Sequence, residues 1–237
     1  MVRLGGTEVK AFLFDWYLTL VEFDELLPTC ADIIRAAGYP CSDELADVWL
    51  PAAFDGCQTP VGPGGDYRVW RMELLRALLT VCSVPPREQD ELAGRILATE
   101  EAHRAHALPG AREVLTFLRE QGVRVGVCSN WDYDLTYSLE CSGLGELVDG
   151  WVTSVQVGAR KPHARIFGAA CHEIGAEAEQ VAFCGDTWST DIAGALRAGL
   201  MPIWLSRQAI EIPHVRIAAS LEELLHLLRA DLAENWA

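Results

Sequence analysis

The chain reads as an α/β protein, a doubly wound parallel sheet interrupted by a block of helices after its first central strand. Val9-Lys10-Ala11-Phe12-Leu13-Phe14 is apolar at nearly every position, as a strand covered on both faces must be. From Pro109-Gly110 onward, strand-like and helical segments alternate, the pattern that builds such a sheet. Between these regions the pattern is helical only.

Taken in order, the strands after the first fall at Val123 to Cys128, Trp151 to Ser154, Val181 to Cys184 and Met201 to Leu205. Helical patterns cover Ala111 to Glu120, Asp132 to Ser142, Ala164 to Ile174, Thr190 to Ala198 and Leu221 to Leu232. The intervening block predicts helices near Asp24 to Ala37, Asp43 to Phe54, Tyr67 to Val81 and Pro86 to Ala107. Asp55 to Gly65, rich in Gly and Pro, divides these into two pairs. Connections near Val21 to Phe23 and His106 to Pro109 are expected to act as hinges.

At 237 residues, with 50% hydrophobic and 22% charged residues, the chain can bury one good core and a small second unit. Nineteen basic against 34 acidic residues give a net charge of −15, which argues against nucleic acid and anionic membranes as partners. No apolar stretch approaches the roughly 20 residues of a membrane helix, and the first residues do not read as a signal peptide. A cytoplasmic location is expected. The eight cysteines lack Cys-x2-Cys spacing, and Cys128 and Cys184 close apolar strands, so reduced thiols are expected.

A carboxylate at the end of a buried strand calls for a reason, and two strands here end in one: Asp15 follows the first, and Gly185-Asp186-Thr187-Trp188-Ser189-Thr190-Asp191 follows Val181 to Cys184. The C-terminal ends of parallel strands open onto the functional crevice. Three clustered carboxylates would raise one another's pKa unless a cation neutralised them. An aspartate can attack phosphorus or carbon as a nucleophile, with water completing the hydrolysis. The alternative for Asp191 is an N-cap or first-turn acid of the helix after it.

Asp15 with Thr19, Ser129-Asn130 after a strand, Lys161-Pro162, and Asp186 with Asp191 resemble, in order and spacing, the four motifs of the haloacid dehalogenase (HAD) superfamily. The resemblance implies a Rossmann-like core at residues 1–20 and 109–237 with an α-helical cap at 21–108. It implies a hydrolase in which Asp15 is the nucleophile, Ser129 holds a transferring oxygen and Lys161 orients Asp15. It further implies a Mg²⁺ cofactor held by Asp15, Asp186 and the backbone carbonyl of Tyr17, with Asp191 behind them, and a small phosphorylated metabolite as substrate. Tyr17 departs from the phosphatase pattern, which has a second Asp there, and is similar to the metal-free 2-haloacid dehalogenases. Asp186 and Asp191 point back to the phosphatases. A cap-gated binding protein of weak activity is a third reading.

Tyr17, Asn130, Trp131 and Trp188 are the expected substrate contacts. Trp16, Trp131 and Trp188, with Tyr17 and Tyr133, would form an aromatic wall favouring a substrate with an apolar or ring-bearing body; packing between core and cap is the alternative. His103 and His106 read as a solvated helix end.

Overall fold

A six-stranded sheet carries the fold. In chain order its members are β3 (Ala11–Phe14), β6 (Arg124–Ser129), β7 (Gly150–Thr153), β8 (Val181–Gly185), β9 (Met201–Leu205) and β10 (Arg216–Ala218). The computed structural model describes residues 2–4, 6–23, 27–46, 67–102, 104–131, 135–208 and 210–234. Every neighbouring pair in the sheet is parallel, in the order β10-β9-β8-β3-β6-β7. From central β3 the chain builds outward through β6 and β7, then returns to β3's other side with β8. That reversal between β3 and β8 opens a crevice at their C-terminal ends. Asp15 and Asp186 follow those two strands.

Alternation along β3 explains its wholly apolar sequence. Phe12 and Phe14 enter one core layer with Leu115, Leu118, Leu224 and Leu228, on helices α4 (Ala111–Glu120) and α9 (Leu221–Glu234). Ala11 and Leu13 enter the other with Phe167, Ile174 and Ala195, on α7 (Ala164–Ile174) and α8 (Ala193–Ala198). Each large aliphatic or aromatic side chain so buried contributes about 1.5–3 kcal/mol. This two-sided burial fixes the register that delivers Asp15 to the rim.

The inserted segment has its own apolar cluster. Helices α1 (Cys30–Ala36), α2 (Tyr67–Val81) and α3 (Pro86–Glu101) pack Ile33, Ile34, Leu75, Leu79, Ala93 and Ile96 together. Residues 43–46 are helical; the rest of the helix expected over 43–54, and the Gly/Pro-rich 55–65, lie outside the described residues. Thr29 caps α1 through a capping box with Asp32, which satisfies first-turn donors.

Several expected boundaries shift. The last helix of the insert stops at Glu101, and Ala105–Ala107 forms β5, antiparallel to β4 (Val21–Phe23). His106 thus lies on a strand, while His103 is outside the described residues. The two connections to the insert are therefore joined by backbone hydrogen bonds as a ribbon. Two short antiparallel strands, β1 (Val2–Leu4) and β2 (Thr7–Val9), precede β3. The helix expected from Asp132 is described over α5 (Thr136–Ser142), and that expected from Thr190 to Ala198 divides into a π turn, Trp188–Ile192, and α8. Among the described residues no helix is long and apolar enough to cross a membrane, and seven cysteines are free thiols.

Candidate active site

Asp15 immediately follows β3, its N–H bonded to the Cys184 carbonyl of β8 at 2.9 Å. Two donors meet its Oδ1, the Ser129 hydroxyl at 3.0 Å and the Lys161 ammonium at 2.5 Å. Lys161 also reaches Asp191 Oδ1 at 2.7 Å. Asp15, Asp186 and Asp191 each bring a carboxylate oxygen within 4.8 Å of the others. The acids and cation expected from four separated motifs thus share one small volume.

Each group is held by its local backbone. Asn130 brackets Lys161, its Oδ1 accepting the Lys161 N–H at 2.6 Å and its Nδ2 donating to the Lys161 carbonyl at 3.0 Å. The Asn130 amide therefore positions the lysine. Asp191 accepts the Thr187 N–H at 3.0 Å, which closes the π turn upon itself. Gly185 permits the close approach: a Cβ there would lie 2.5–2.6 Å from the Asp191 side chain. Asp186 receives the Thr19 hydroxyl at 3.3 Å, while its carbonyl accepts the Trp204 indole N–H at 2.9 Å.

Charge balance is uneven. Lys161 and Asp191 are buried and Asp15 nearly so. Burial raises the Asp15 pKa from 3.8 to about 6, against the pull of Lys161 and with repulsion from Asp191 adding to it. Burial also lifts Asp186, again with Asp191 contributing. Lys161 shows the opposite response: burial disfavours its charge, yet Asp15 and Asp191 outweigh burial and its pKa rises. Three acids and one ammonium leave surplus negative charge in a poorly solvated place. An all-oxygen donor set with that surplus fits a small hard dication such as Mg²⁺. Thiol chemistry has no comparable support, because burial pushes the neighbouring Cys128 up to about 12.

The aromatic residues separate into different roles. Trp16 is fully buried, its indole N–H donating to Ser138 at 2.7 Å, which removes it from any substrate wall. Trp188 packs edge-on against Trp204, with centroids 5.1 Å apart. Tyr17 stacks on Phe23 and Phe23 on Trp131. Tyr133 lies outside the described residues. Phe23, Thr187 and Trp204 are additions to the residues singled out from sequence. Thr187 sits inside a quoted motif, whereas nothing in the local sequence marks Phe23 or Trp204.

A model of haloacid dehalogenase-like hydrolases matches residues 9–199. The chain belongs to that family. Among family relatives it is 35% identical over 127 residues to the pyrimidine 5'-nucleotidase YjjG of Escherichia coli, covering 51% of this chain and 56% of that protein. The chain spans about half the length of the curated relatives it matches. Two solved structures share the haloacid dehalogenase-like fold. A 2-haloacid dehalogenase from Pseudomonas syringae pv. Tomato aligns with TM-score 0.69 at 21% identity, covering 97% of this chain and 100% of that one. The putative HAD-hydrolase YfnB from Bacillus subtilis, bound to magnesium, aligns with TM-score 0.66 at 21% identity, covering 94% and 99%.

Proposed function

We propose that this hydrolase is a Mg²⁺-dependent phosphatase of small phosphorylated metabolites, acting through an aspartyl phosphate on Asp15, with residues 21–108 as a cap over a core of 1–20 and 109–237. The observation that carries the reading is the convergence of Asp15, Lys161, Asp186 and Asp191 with surplus negative charge. The similarity to a pyrimidine 5'-nucleotidase supports a phosphate ester as substrate, and cysteine spacing without a disulfide framework supports a cytoplasmic compartment.

Asp15, Asp186 and the backbone carbonyl of Tyr17 would hold the ion, with Asp191 behind them. When bound it would offset the charge of the carboxylates and of the phosphoryl oxygens. An Asp15 carboxylate oxygen attacks phosphorus and the phosphorus–oxygen bond to the leaving group breaks. The departing oxygen takes a proton from solvent. Water then attacks the aspartyl phosphate, releases inorganic phosphate and its surplus proton, and restores Asp15. Lys161 and Ser129 hold Asp15 in line and oppose charge growing on the transferred oxygens. Asn130 fixes Lys161, Trp131 follows it in the same loop, and Trp188 opens the π turn two residues after Asp186.

The leaving group has no carboxylic acid at Tyr17 to protonate it, a contribution typically worth about 10² to 10⁴ in rate. Good leaving groups are therefore favoured. Phosphate release from an aryl phosphate, with and without Mg²⁺ and repeated with Asp15→Asn, tests the reading. Mg²⁺-independent chloride release from a 2-chloro acid would replace it with the dehalogenase alternative, and inactivity in both assays with a binding role.

A further inference from the structure

Tyr17, Phe23 and Trp131 form a stack of three rings. Tyr17 and Phe23 have centroids 4.9 Å apart with planes 16° from parallel. Phe23 and Trp131 follow at 5.4 Å and 27°. The stack ends at Tyr17, which is 44% exposed. One of its faces is covered by Phe23, and Tyr17 stands two residues after Asp15, so their Cα atoms lie within about 7 Å.

The backbone holds this arrangement firmly. The Leu20 and Val21 N–H groups donate to the Trp16 carbonyl at 2.9 and 3.1 Å, and the Leu18 N–H donates to the Val21 carbonyl at 2.8 Å. Leu18 adopts φ 62°, a left-handed conformation that costs a leucine about 1–2 kcal/mol. Beneath the turn Trp16 is anchored to Ser138. On the far side Phe23 is fixed by the β4–β5 pairing, in which it stands opposite Ala105. The turn reverses the chain so that Phe23 lies under Tyr17, and a strained, multiply bonded loop presents an aromatic plate to solvent.

We infer that Tyr17 is a specificity-determining residue, backed by Phe23 and Trp131, that selects phosphate compounds carrying a planar aromatic or heteroaromatic ring by stacking on its outer face. The inference rests on the phosphatase reading only for where the phosphate sits, at Asp15. It concerns planarity rather than apolar bulk, because offset stacking rewards a flat π-face beyond the area it buries.

Calorimetric titration in Mg²⁺ buffer with two non-hydrolysable ligands, 2-phenylethylphosphonate and 2-cyclohexylethylphosphonate, isolates that property. The two match in charge, chain length and approximate size, and neither needs turnover to be read. The expected result is about 2- to 12-fold tighter binding of the phenyl compound, retained in Tyr17→Phe and levelled in Tyr17→Leu, with a melting curve confirming that each variant is folded. Equal affinities in the native protein, no binding of either ligand, or a preference that survives Tyr17→Leu would overturn the inference. A phenyl preference without phosphate release from any aryl phosphate would refute the phosphatase reading and leave ring selection standing; phosphate release without the preference would do the reverse.

Discussion

Replacing Asp15, the proposed nucleophile, should make the metal-free protein more stable. Asp15 is drawn into the site with its pKa raised from 3.8 to about 6, so at neutral pH the fold holds an ionised carboxylate that its surroundings disfavour. The rise corresponds to roughly 3 kcal/mol at pH values above both. That figure is already net of the attraction to Lys161. Asn keeps an acceptor oxygen for Lys161 and Ser129 and cannot ionise, so Asp15→Asn removes the cost while preserving the contacts at Oδ1. In a chain of 237 residues each kcal/mol moves the midpoint by about 2–4 °C, which sets an expected gain of roughly 6–12 °C.

The pH dependence makes the test specific. A folded-state pKa above the unfolded value means that the folded protein binds more protons between 3.8 and about 6, so wild-type stability falls as pH rises through that window and levels off beyond it. The variant lacks this loss. The gap between the two should therefore reach roughly 3 kcal/mol above pH 7 and be about half as large at pH 5. Thermal melts in EDTA at pH 5, 6, 7 and 8 measure it. Mg²⁺ should then raise the wild type more than the variant, because a ligand stabilises the state it binds. A variant equal to or less stable than wild type at pH 7–8 would refute the claim that the site is short of positive charge.

Lys161→Met would leave the two buried acids without their cation, and removal of one partner from a buried charge cluster costs about 3–5 kcal/mol; the loss should appear in melts without metal and shrink on adding Mg²⁺. Gly185→Ala places a methyl group within 2.6 Å of Asp191, so Asp191 must move, at a cost of about 1–3 kcal/mol; phosphate release should fall at least ~10-fold, as loss of a positioned charged group would give. Cys128 and Cys184, both fully buried with thiols pushed up, should resist iodoacetamide at pH 8 in the native protein and react on unfolding, which peptide mass mapping would read.

The sequence carries the sheet clearly because burial on both faces leaves an unambiguous mark. Phe12, Leu13 and Phe14 have no polar residue among them, so β3 could only be central, and the acid at its end was conspicuous for the same reason. Asp186 and Asp191 were equally visible at the end of β8. Less legible were short elements stabilised by partners distant in sequence: β4 pairs with β5, with Glu22 opposite His106, and His106 continues a helical pattern until that pairing overrides it. The helix expected from Thr190 is preceded and partly replaced by a π turn, across which the Asp191 side chain reaches back to accept the Thr187 N–H.

Asn130 and Phe23 expose a second limit. A residue type in a motif reveals which groups it can bond, not which it does bond: an amide beside a reactive serine suits a substrate contact, yet both its polar atoms engage the backbone of Lys161. Their effect on chemistry is then indirect and depends on keeping one ammonium between two carboxylates. Phe23 lacked even that signal, because its neighbour in space is fixed by Leu18 at φ 62°, a conformation no leucine advertises. Strain in a turn beside a nucleophile persists only when surrounding contacts over-determine it. Here Trp16, buried and bonded to Ser138, supplies those contacts from below, while the β4–β5 ribbon supplies them from behind. The same loop that carries Asp15 and the Tyr17 carbonyl proposed to hold the metal also bears an exposed aromatic ring, so chemistry and ring selection would share one rigid support, and loosening that support should weaken both together.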